Sequence, residues 1–112
     1  MSDLNLATVK CEVVEDHIAI VKMDNPPVNA HSLQMLQDLQ LTFDRISDIP
    51  EIRATVLIGE GKIFCAVADI KARATANRQA GDHWQNSRVA REAYHCIREC
   101  QKPVVAALNG AA

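Results

Sequence analysis

The spacing of apolar and polar residues changes along the first quarter of the chain, and it predicts a β-hairpin. Residues 9–13 (VKCEV) alternate between apolar and polar, whereas residues 17–23 (HIAIVKM) form a more continuous apolar run. Strict alternation is typical of a half-buried strand, and a longer apolar run is typical of a buried one. We therefore expect two strands, of which the second is better buried.

The period then lengthens to that of a helix. Residues 24–32 (DNPPVNAHS) are rich in Pro and Asn, which break strands and favour turns. From Ser32 onward apolar residues recur every three or four positions, which predicts a helix with His31 or Ser32 near its N-cap and Pro50 beyond its end. The periodic positions are Leu33, Leu36, Leu39, Phe43 and Ile46.

The second half of the chain contains two further strand patterns and one further helix pattern. Residues 54–58 (ATVLI) lack polar alternation, which predicts a strand covered on both faces and parallel to a neighbour. Residues 72–81 have no clear period and predict no element. Asp82 and Gln85 resemble a capping box, and the helix that follows is expected to end before Pro103. Its apolar stripe is Trp84, Ala90, Ala93, Tyr94, Ile97 and Cys100.

Residues 103–110 (PVVAALNG) predict a last strand that runs into an Asn-Gly turn. The predicted order is β-β-α-β-α-β, which indicates the α/β class with a right-handed crossover and an at least partly parallel sheet. The sequence stops just after that turn, without the helix that would cover the last strand. We therefore expect the chain to be part of a larger domain and to expose an apolar patch on one of its strands.

Composition and charge exclude several function classes. The 112 residues are 48% hydrophobic and 23% charged, as is usual for a globular protein. Lys and Arg number 12 against 14 for Asp and Glu, so the chain has no basic surplus for a nucleic-acid partner. The sequence contains neither a secretion signal nor an apolar run of about 18 residues. These features predict a cytoplasmic protein without a membrane partner.

The cysteines and histidines carry no evident reactive pattern. Cys96 and Cys100 lie four positions apart with His95 beside them, but no second pair at a zinc-site spacing accompanies them. We expect buried free thiols and no metal. His17 and His31 have no partner at an evident triad position, which favours surface or capping roles.

One loop contains small residues and few side chains that could take part in a reaction. The stretch 59–72 (GEGKIFCAVADIKA) follows an apolar strand, and its lone G-x-G favours a turn over a phosphate cradle. The small residues Ala66 and Ala68 indicate a backbone that can present main-chain N–H groups to a ligand.

Three segments in order resemble the enoyl-CoA hydratase/isomerase family, also called the crotonase superfamily. They are NPPVNAHS, IRATVLIGEGKIFCAVADIK and CQKPVVAALNGAA. The resemblance implies an α/β, crotonase-like (ClpP/crotonase) spiral of ββα units, incomplete here. It also implies that residues 1–112 are the N-terminal portion of a single such domain, which ends before the catalytic C-terminal half with its second oxyanion donor and its glutamates.

Carried over residue by residue, the resemblance implies a site built from main-chain groups. The N–H of Ala68 matches one of the two oxyanion-hole donors that hold the thioester oxygen, an effect worth roughly 3 kcal/mol per donor. Val67 stands where the family has glycine, and a β-branched residue there is expected to distort the loop. The implied substrate-binding positions are Val28, Ala30, Ala66, Ala68, Asp69, Ile70 and Lys71.

Each of these positions also has a purely structural interpretation. Val28 and Ala30, expected on the pantetheine side of the site, equally suit packing beneath the first helix. Asp69 suits an ion pair or a loop cap better than a catalytic acid, and Lys71 is equally a solvated surface lysine.

The resemblance implies an acyl-CoA hydratase or isomerase that works by enolate stabilisation. Coenzyme A enters as part of the substrate, with no other cofactor, and the family's trimers and hexamers imply a homo-oligomer. Two alternatives stay open: a non-catalytic truncated paralogue or fragment that keeps a subunit-contact or coenzyme A binding surface, and an unrelated α/β binding module. We expect the 112 residues alone to be inactive.

Overall fold

The computed structural model describes residues 4–65 and 80–110, without the side chains of residues 82, 83 and 86. Within these ranges the chain forms five strands and two helices. In chain order they are β1 (Leu4–Asn5), β2 (Val9–Val14), β3 (Ile18–Met23), α1 (Leu33–Ser47), β4 (Ala54–Gly59), α2 (Asp82–Arg98) and β5 (Val104–Ala107).

The strands form one mixed sheet in the order β1-β2-β3-β4-β5. The first three strands are antiparallel neighbours, and β4 runs parallel to both β3 and β5. The predicted hairpin, the parallel arrangement and the α/β class are therefore confirmed. The sequence did not predict β1, which has only two residues.

Helix α1 covers one face of the sheet because its apolar stripe meets the inward residues of the strands. Ser32 is the N-cap and accepts a hydrogen bond from the Met35 amide at 3.2 Å, so the predicted cap is confirmed. The helix ends at Ser47, before Pro50 as predicted. The buried core comprises Val9, Cys11, Ala19, Val21, Met23, Met35, Leu39, Phe43, Ile46, Ile52, Leu57 and Phe64.

A buried carboxylate attaches α1 to the strands. Asp38 Oδ2 accepts hydrogen bonds from the Thr8 amide at 2.9 Å and from the Thr8 hydroxyl at 2.8 Å. Its other oxygen accepts from Gln34 Nε2 at 2.7 Å. A buried carboxylate without partners would be costly, so these bonds fix the position of the helix relative to the start of β2.

The start of α2 differs from the prediction. Gly81 is the N-cap, with φ 96°, and no side chain caps the helix, so the predicted capping box at Asp82 is wrong. Ala93 is buried and Ile97 packs against the core, but Trp84 is 73% exposed. The predicted stripe is therefore wrong at its N-terminal end, because among the described residues only the C-terminal part of α2 packs against the core.

The second face of the sheet is covered less than the sequence predicted. Residues 54, 56 and 58 of β4 are half-buried, and Val105 of β5 is 60% exposed. The exposure of Val105 agrees with the apolar patch expected on one of the strands. Leu108 is also 66% exposed, so an apolar surface adjoins the end of β5. No helix in the described ranges is long and apolar enough to cross a membrane.

Two residues of α1 test whether the core depends on its inward face. Phe43 is fully buried and Leu41 is 40% exposed. We expect Phe43→Ala to lower the free energy of unfolding by about 4 kcal/mol, because it leaves a cavity. Leu41→Ala, the matched control, should cost less than about 1 kcal/mol. Chemical denaturation measures both, and equal costs would contradict this assignment of the core.

Candidate functional site

The carboxyl ends of β3, β4 and β5 meet at one edge of the sheet, since these strands are parallel. Three chain segments follow them at that edge: residues 24–32, 60–65 and 108–110. In open α/β sheets, ligands bind in the crevice beyond the carboxyl ends of the strands. This edge is therefore the candidate site.

The segment after β4 is a turn that leads towards the loop singled out in the sequence. Gly59 is buried at the end of the strand, and the Glu60 amide donates to the Met23 carbonyl at 2.8 Å. Gly61 has φ 82°, which confirms the predicted turn. The turn continues to Phe64, which is 8% exposed, and to half-buried Cys65. The turn at residues 60–65 therefore follows β4 directly, whereas the rest of the predicted loop lies outside the described residues.

The side chain of Asn29 holds this turn from one side. It is 3% exposed, and its φ of 54° belongs to the left-handed region that asparagine tolerates. Its Nδ2 donates to the carbonyl of Ile63 at 2.8 Å and lies 3.2 and 3.3 Å from those of Glu60 and Phe64. One side-chain amide thus joins the segment after β3 to the segment after β4.

The segment that carries Asn29 is itself tied together. The Asn29 amide donates to the Asn25 carbonyl at 2.8 Å, and the Asn25 amide donates to Asn29 Oδ1 at 2.9 Å. Asn25 Nδ2 also donates to the Ala30 carbonyl at 2.8 Å. Val28 and Ala30 are half-buried in this segment. Both are therefore held on a segment that contacts the turn after β4.

The side chain of Asn109 holds the same turn from β5. Its Oδ1 accepts from the Gly59 amide at 3.2 Å, and its Nδ2 donates to the carbonyls of Gly59 and Gly61, each at 2.8 Å. We refer to Asn29 and Asn109, with these bonds, as the amide clamp.

Two glycines permit close contact of main chain with main chain at this edge. A Cβ on Gly59 would collide with the carbonyl oxygens of Ile63 and Phe64, and one on Gly110 would collide with the carbonyl of Lys62. No larger residue fits either position without displacing backbone. The turns after β4 and β5 are therefore packed directly on each other.

His31 connects the start of α1 to α2. Its Nδ1 lies 2.7 Å from the Tyr94 hydroxyl, and the two ring centroids are 5.6 Å apart. Burial lowers the pKa of His31 below its usual value, because a desolvated imidazolium is disfavoured. His31 directly precedes the N-cap Ser32, as expected, and is half-buried against α2. The predicted surface or capping role is confirmed for His17, which is exposed.

Two of the four thiols are poor nucleophiles. None of the four cysteines forms a disulfide, and burial raises the pKa of the Cys65 thiol. Burial and the neighbouring Asp44 raise the pKa of Cys96 to about 11, so its reactive thiolate is scarce at neutral pH. In the described part of the chain, no group of three His, Cys, Asp or Glu side chains could hold a metal ion.

Only part of the predicted site lies within the described residues. Val28 and Ala30 flank Asn29 of the amide clamp, and their contact with a substrate stays a prediction. The sequence did not predict the clamp. Asn29 lies between them and carried no functional prediction, although its position in a Pro-rich turn was a signal. The predicted site residues Ala66, Ala68, Asp69, Ile70 and Lys71, with Val67, lie outside the described residues.

Comparison with known proteins identifies the relatives of this chain. Residues 14–112 match the family model described as enoyl-CoA hydratase/isomerase. An enoyl-CoA hydratase of Mycobacterium tuberculosis is 32% identical over 100 residues, which cover 86% of this chain and 37% of that protein. The mitochondrial Delta(3,5)-Delta(2,4)-dienoyl-CoA isomerase of Mus musculus is 28% identical, over 98% of this chain and 37% of that protein.

A solved structure shares the fold as well. The enoyl-CoA hydratase/isomerase from Marinobacter aquaeolei superposes with a TM-score of 0.84 at 32% identity, over 94% of this chain and 42% of that one. The predicted crotonase-like fold is therefore confirmed. The chain spans about two fifths of the length of the relatives that it matches.

Two glycines of the turn after β4 test the close packing at the site. Gly59→Ala should destabilise the protein by about 3 kcal/mol, because the methyl group meets backbone. Gly61→Ala, the matched control, has open space around its Cβ and a φ of 82°. It should cost only about 1 kcal/mol, from backbone strain. Chemical denaturation of both variants gives the comparison, and the reverse order would contradict the packing described above.

Proposed function

The chain belongs to the enoyl-CoA hydratase/isomerase family, and from this we propose that it binds an acyl-CoA thioester and stabilises the enolate-like oxyanion formed from it. The match over residues 14–112 carries the proposal. The amide clamp supports it, because it holds the turn that leads into the loop with the expected donor.

In the proposed site, main-chain groups act on the thioester. Removal of a proton next to the thioester carbonyl, or addition of water to the conjugated double bond, places negative charge on the carbonyl oxygen. The N–H of Ala68 donates a hydrogen bond to that oxygen, and a preorganised donor of this kind contributes roughly 3 kcal/mol. This role requires no reactive side chain, which agrees with the raised pKa of the nearby Cys65 thiol.

The remaining proposed site residues bind the coenzyme A part of the substrate. Val28 and Ala30 contact the pantetheine arm, and Ala66 adjoins the thioester. Asp69, Ile70 and Lys71 extend towards the adenine end, where the Lys71 ammonium complements phosphate charge. Coenzyme A is part of the substrate in this proposal, and no other cofactor is needed.

We further propose that residues 1–112 form the N-terminal portion of one crotonase-like domain. Relatives such as the hydratase of M. tuberculosis, of which the chain covers 37%, supply the comparison. A second oxyanion donor and the catalytic glutamates would then follow residue 112, and the complete protein would be a trimer or hexamer. The cytoplasmic location stays a prediction.

A non-catalytic role is the second candidate. Val67 occupies the position of the family glycine, and its side chain hinders close approach of a ligand to the backbone. In this alternative the chain keeps a subunit-contact or coenzyme A binding surface without turnover. Activity of a complete protein separates the two candidates.

One prediction of this proposal concerns ligand binding by the 112-residue chain. We expect calorimetry to detect crotonyl-CoA binding, and Lys71→Ala to weaken it about fivefold, or about 1 kcal/mol, through loss of one charge interaction. The control Lys62→Ala removes an exposed lysine from the turn after β4 and should change binding little. Absence of binding at millimolar ligand would contradict the proposal for this chain. Hydration of the ligand would contradict the proposed domain boundary.

The second prediction concerns Val67. In a protein extended with a family-like C-terminal half, Val67→Gly should raise kcat/KM about tenfold or more, because a misdirected donor loses part of its roughly 3 kcal/mol. Val67→Ala, the control, removes the β-branch but keeps a Cβ and should give a smaller gain. Equal activity of the three proteins would show that this backbone accommodates valine.

A further inference from the structure

We infer that Asn109 is a positioning residue for the proposed donor loop: its side-chain amide fixes the turn after β4 from which that loop starts. The inference rests on the proposed function. Asn109 itself would touch neither the substrate nor the reacting atoms, and it acts through the backbone of residues 59–61.

The side chain of Asn109 extends the hydrogen bonding of the sheet beyond the last backbone pair of β4 and β5. The ladder between β4 and β5 ends at the pair Ile58 and Ala107. Beyond this pair, Asn109 Oδ1 accepts from the N–H of Gly59 while Nδ2 donates to the C=O of the same residue. A side-chain amide offers the same donor and acceptor as a peptide group. Asn109 therefore replaces the next residue of the strand.

Because the Asn109 side chain bonds Gly59, the main chain after β5 can turn away from β4 while Gly59 keeps a donor and an acceptor. Gly110 is then free to lie against the carbonyl of Lys62, in a contact that excludes any Cβ. Asn109 Nδ2 also bonds Gly61, one residue before Lys62. Two adjacent residues after β5 thus contact Gly59, Gly61 and Lys62. Asn109 does so through its side chain and Gly110 through its backbone.

Together with Asn29, Asn109 accounts for five of the six carbonyls of residues 59–64. Asn109 donates to the carbonyls of Gly59 and Gly61, and Asn29 Nδ2 lies within hydrogen-bonding distance of those of Glu60, Ile63 and Phe64. The sixth carbonyl, that of Lys62, faces Gly110. A carbonyl that loses its donor favours rearrangement of the backbone, most strongly at Phe64, which is buried. We therefore expect the turn to loosen when either side chain is removed.

The proposed donor lies only a few residues after the turn, so the position of the turn bears on the proposed chemistry. Cys65 immediately follows the turn, and Ala68 comes three residues later. Stabilisation by a main-chain donor depends steeply on its position, since a misplacement of about 1 Å can cost roughly a hundredfold in rate. We therefore expect loss of the Asn109 bonds to weaken the proposed stabilisation.

An isosteric substitution separates hydrogen bonding from space filling. Asn109→Asp keeps the shape and the acceptor for the Gly59 amide, but it places a carboxylate oxygen opposite the carbonyls of Gly59 and Gly61. Asn109→Ala removes all three bonds without adding charge and serves as the second variant. Asn5→Asp makes the same chemical change at an exposed position of β1 and is the matched control.

Two measurements on the 112-residue chain report on the turn and on the ligand. Hydrogen exchange of the amides of Gly59 and Glu60, whose acceptors are Asn109 Oδ1 and the Met23 carbonyl, should become at least tenfold faster in Asn109→Asp and Asn109→Ala, while exchange in α1 changes less than twofold. Infrared spectra of crotonyl-CoA carrying ¹³C at the thioester carbonyl should show a lowered C=O frequency on binding. Both variants should lose at least half of that shift, and Asn5→Asp should match the unmodified chain.

The outcomes separate this inference from the proposed function. Exchange of the Gly59 and Glu60 amides at the original rate in both variants overturns the role of Asn109, and so does a fully retained carbonyl shift. If the unmodified chain binds no ligand or shifts no carbonyl, the proposed function fails, and exchange alone then decides whether Asn109 fixes the turn. If Asn109→Asp loses protection in α1 as well, Asn109→Ala supplies the answer.

Discussion

The candidate site depends on one constraint, the need of backbone carbonyls beyond the sheet ladder for hydrogen-bond donors. The turn after β4 lies beyond the sheet ladder, where no neighbouring strand can supply them. The amide clamp provides these donors from two segments distant in sequence, 30 or more residues to either side of the turn. Everything that places Asn29 and Asn109 at this edge thereby determines the conformation of the turn.

The helix cap and the pairing of the strands place Asn29 and Asn109 at this edge. Ser32 caps α1 directly after the Asn29 segment, and Asp38 attaches the same helix to Thr8, next to β2. Parallel pairing of β4 with β5 ends at Ile58 and Ala107, which brings the side chain of Asn109 within hydrogen-bonding distance of Gly59. Local signals in the sequence, such as a helix cap and a buried strand, thus combine into a tertiary arrangement at the site.

Patterns with a clear period allowed correct prediction, and features without a period did not. The alternation of residues 9–13 and the three- and four-residue spacing after Ser32 predicted β2 and α1. Strand β1 has two residues, too few for a period, and Gly81 begins α2 through a positive φ that no side chain signals. Trp84 followed the helical period, but a period cannot show where a helix ceases to contact the core.

The site was predicted through resemblance to a family, which identified the loop and its proposed donor. It did not identify the clamp, because bonds such as those of Asn109, 48 and 50 residues from their partners, leave no local pattern. Asn109 and Gly110 were interpreted as a turn, which describes the backbone but not the use of the side chain.

The amide clamp is also electrically neutral. Amide groups and peptide carbonyls carry no net charge, and neither group gains or loses a proton in the range where proteins are folded. Ionic strength screens interactions between charges, such as those expected between a lysine and the phosphates of a ligand, but it has little effect on these bonds. Salt should therefore alter how strongly an anionic ligand is attracted to this edge of the sheet while leaving the shape of the turn unchanged.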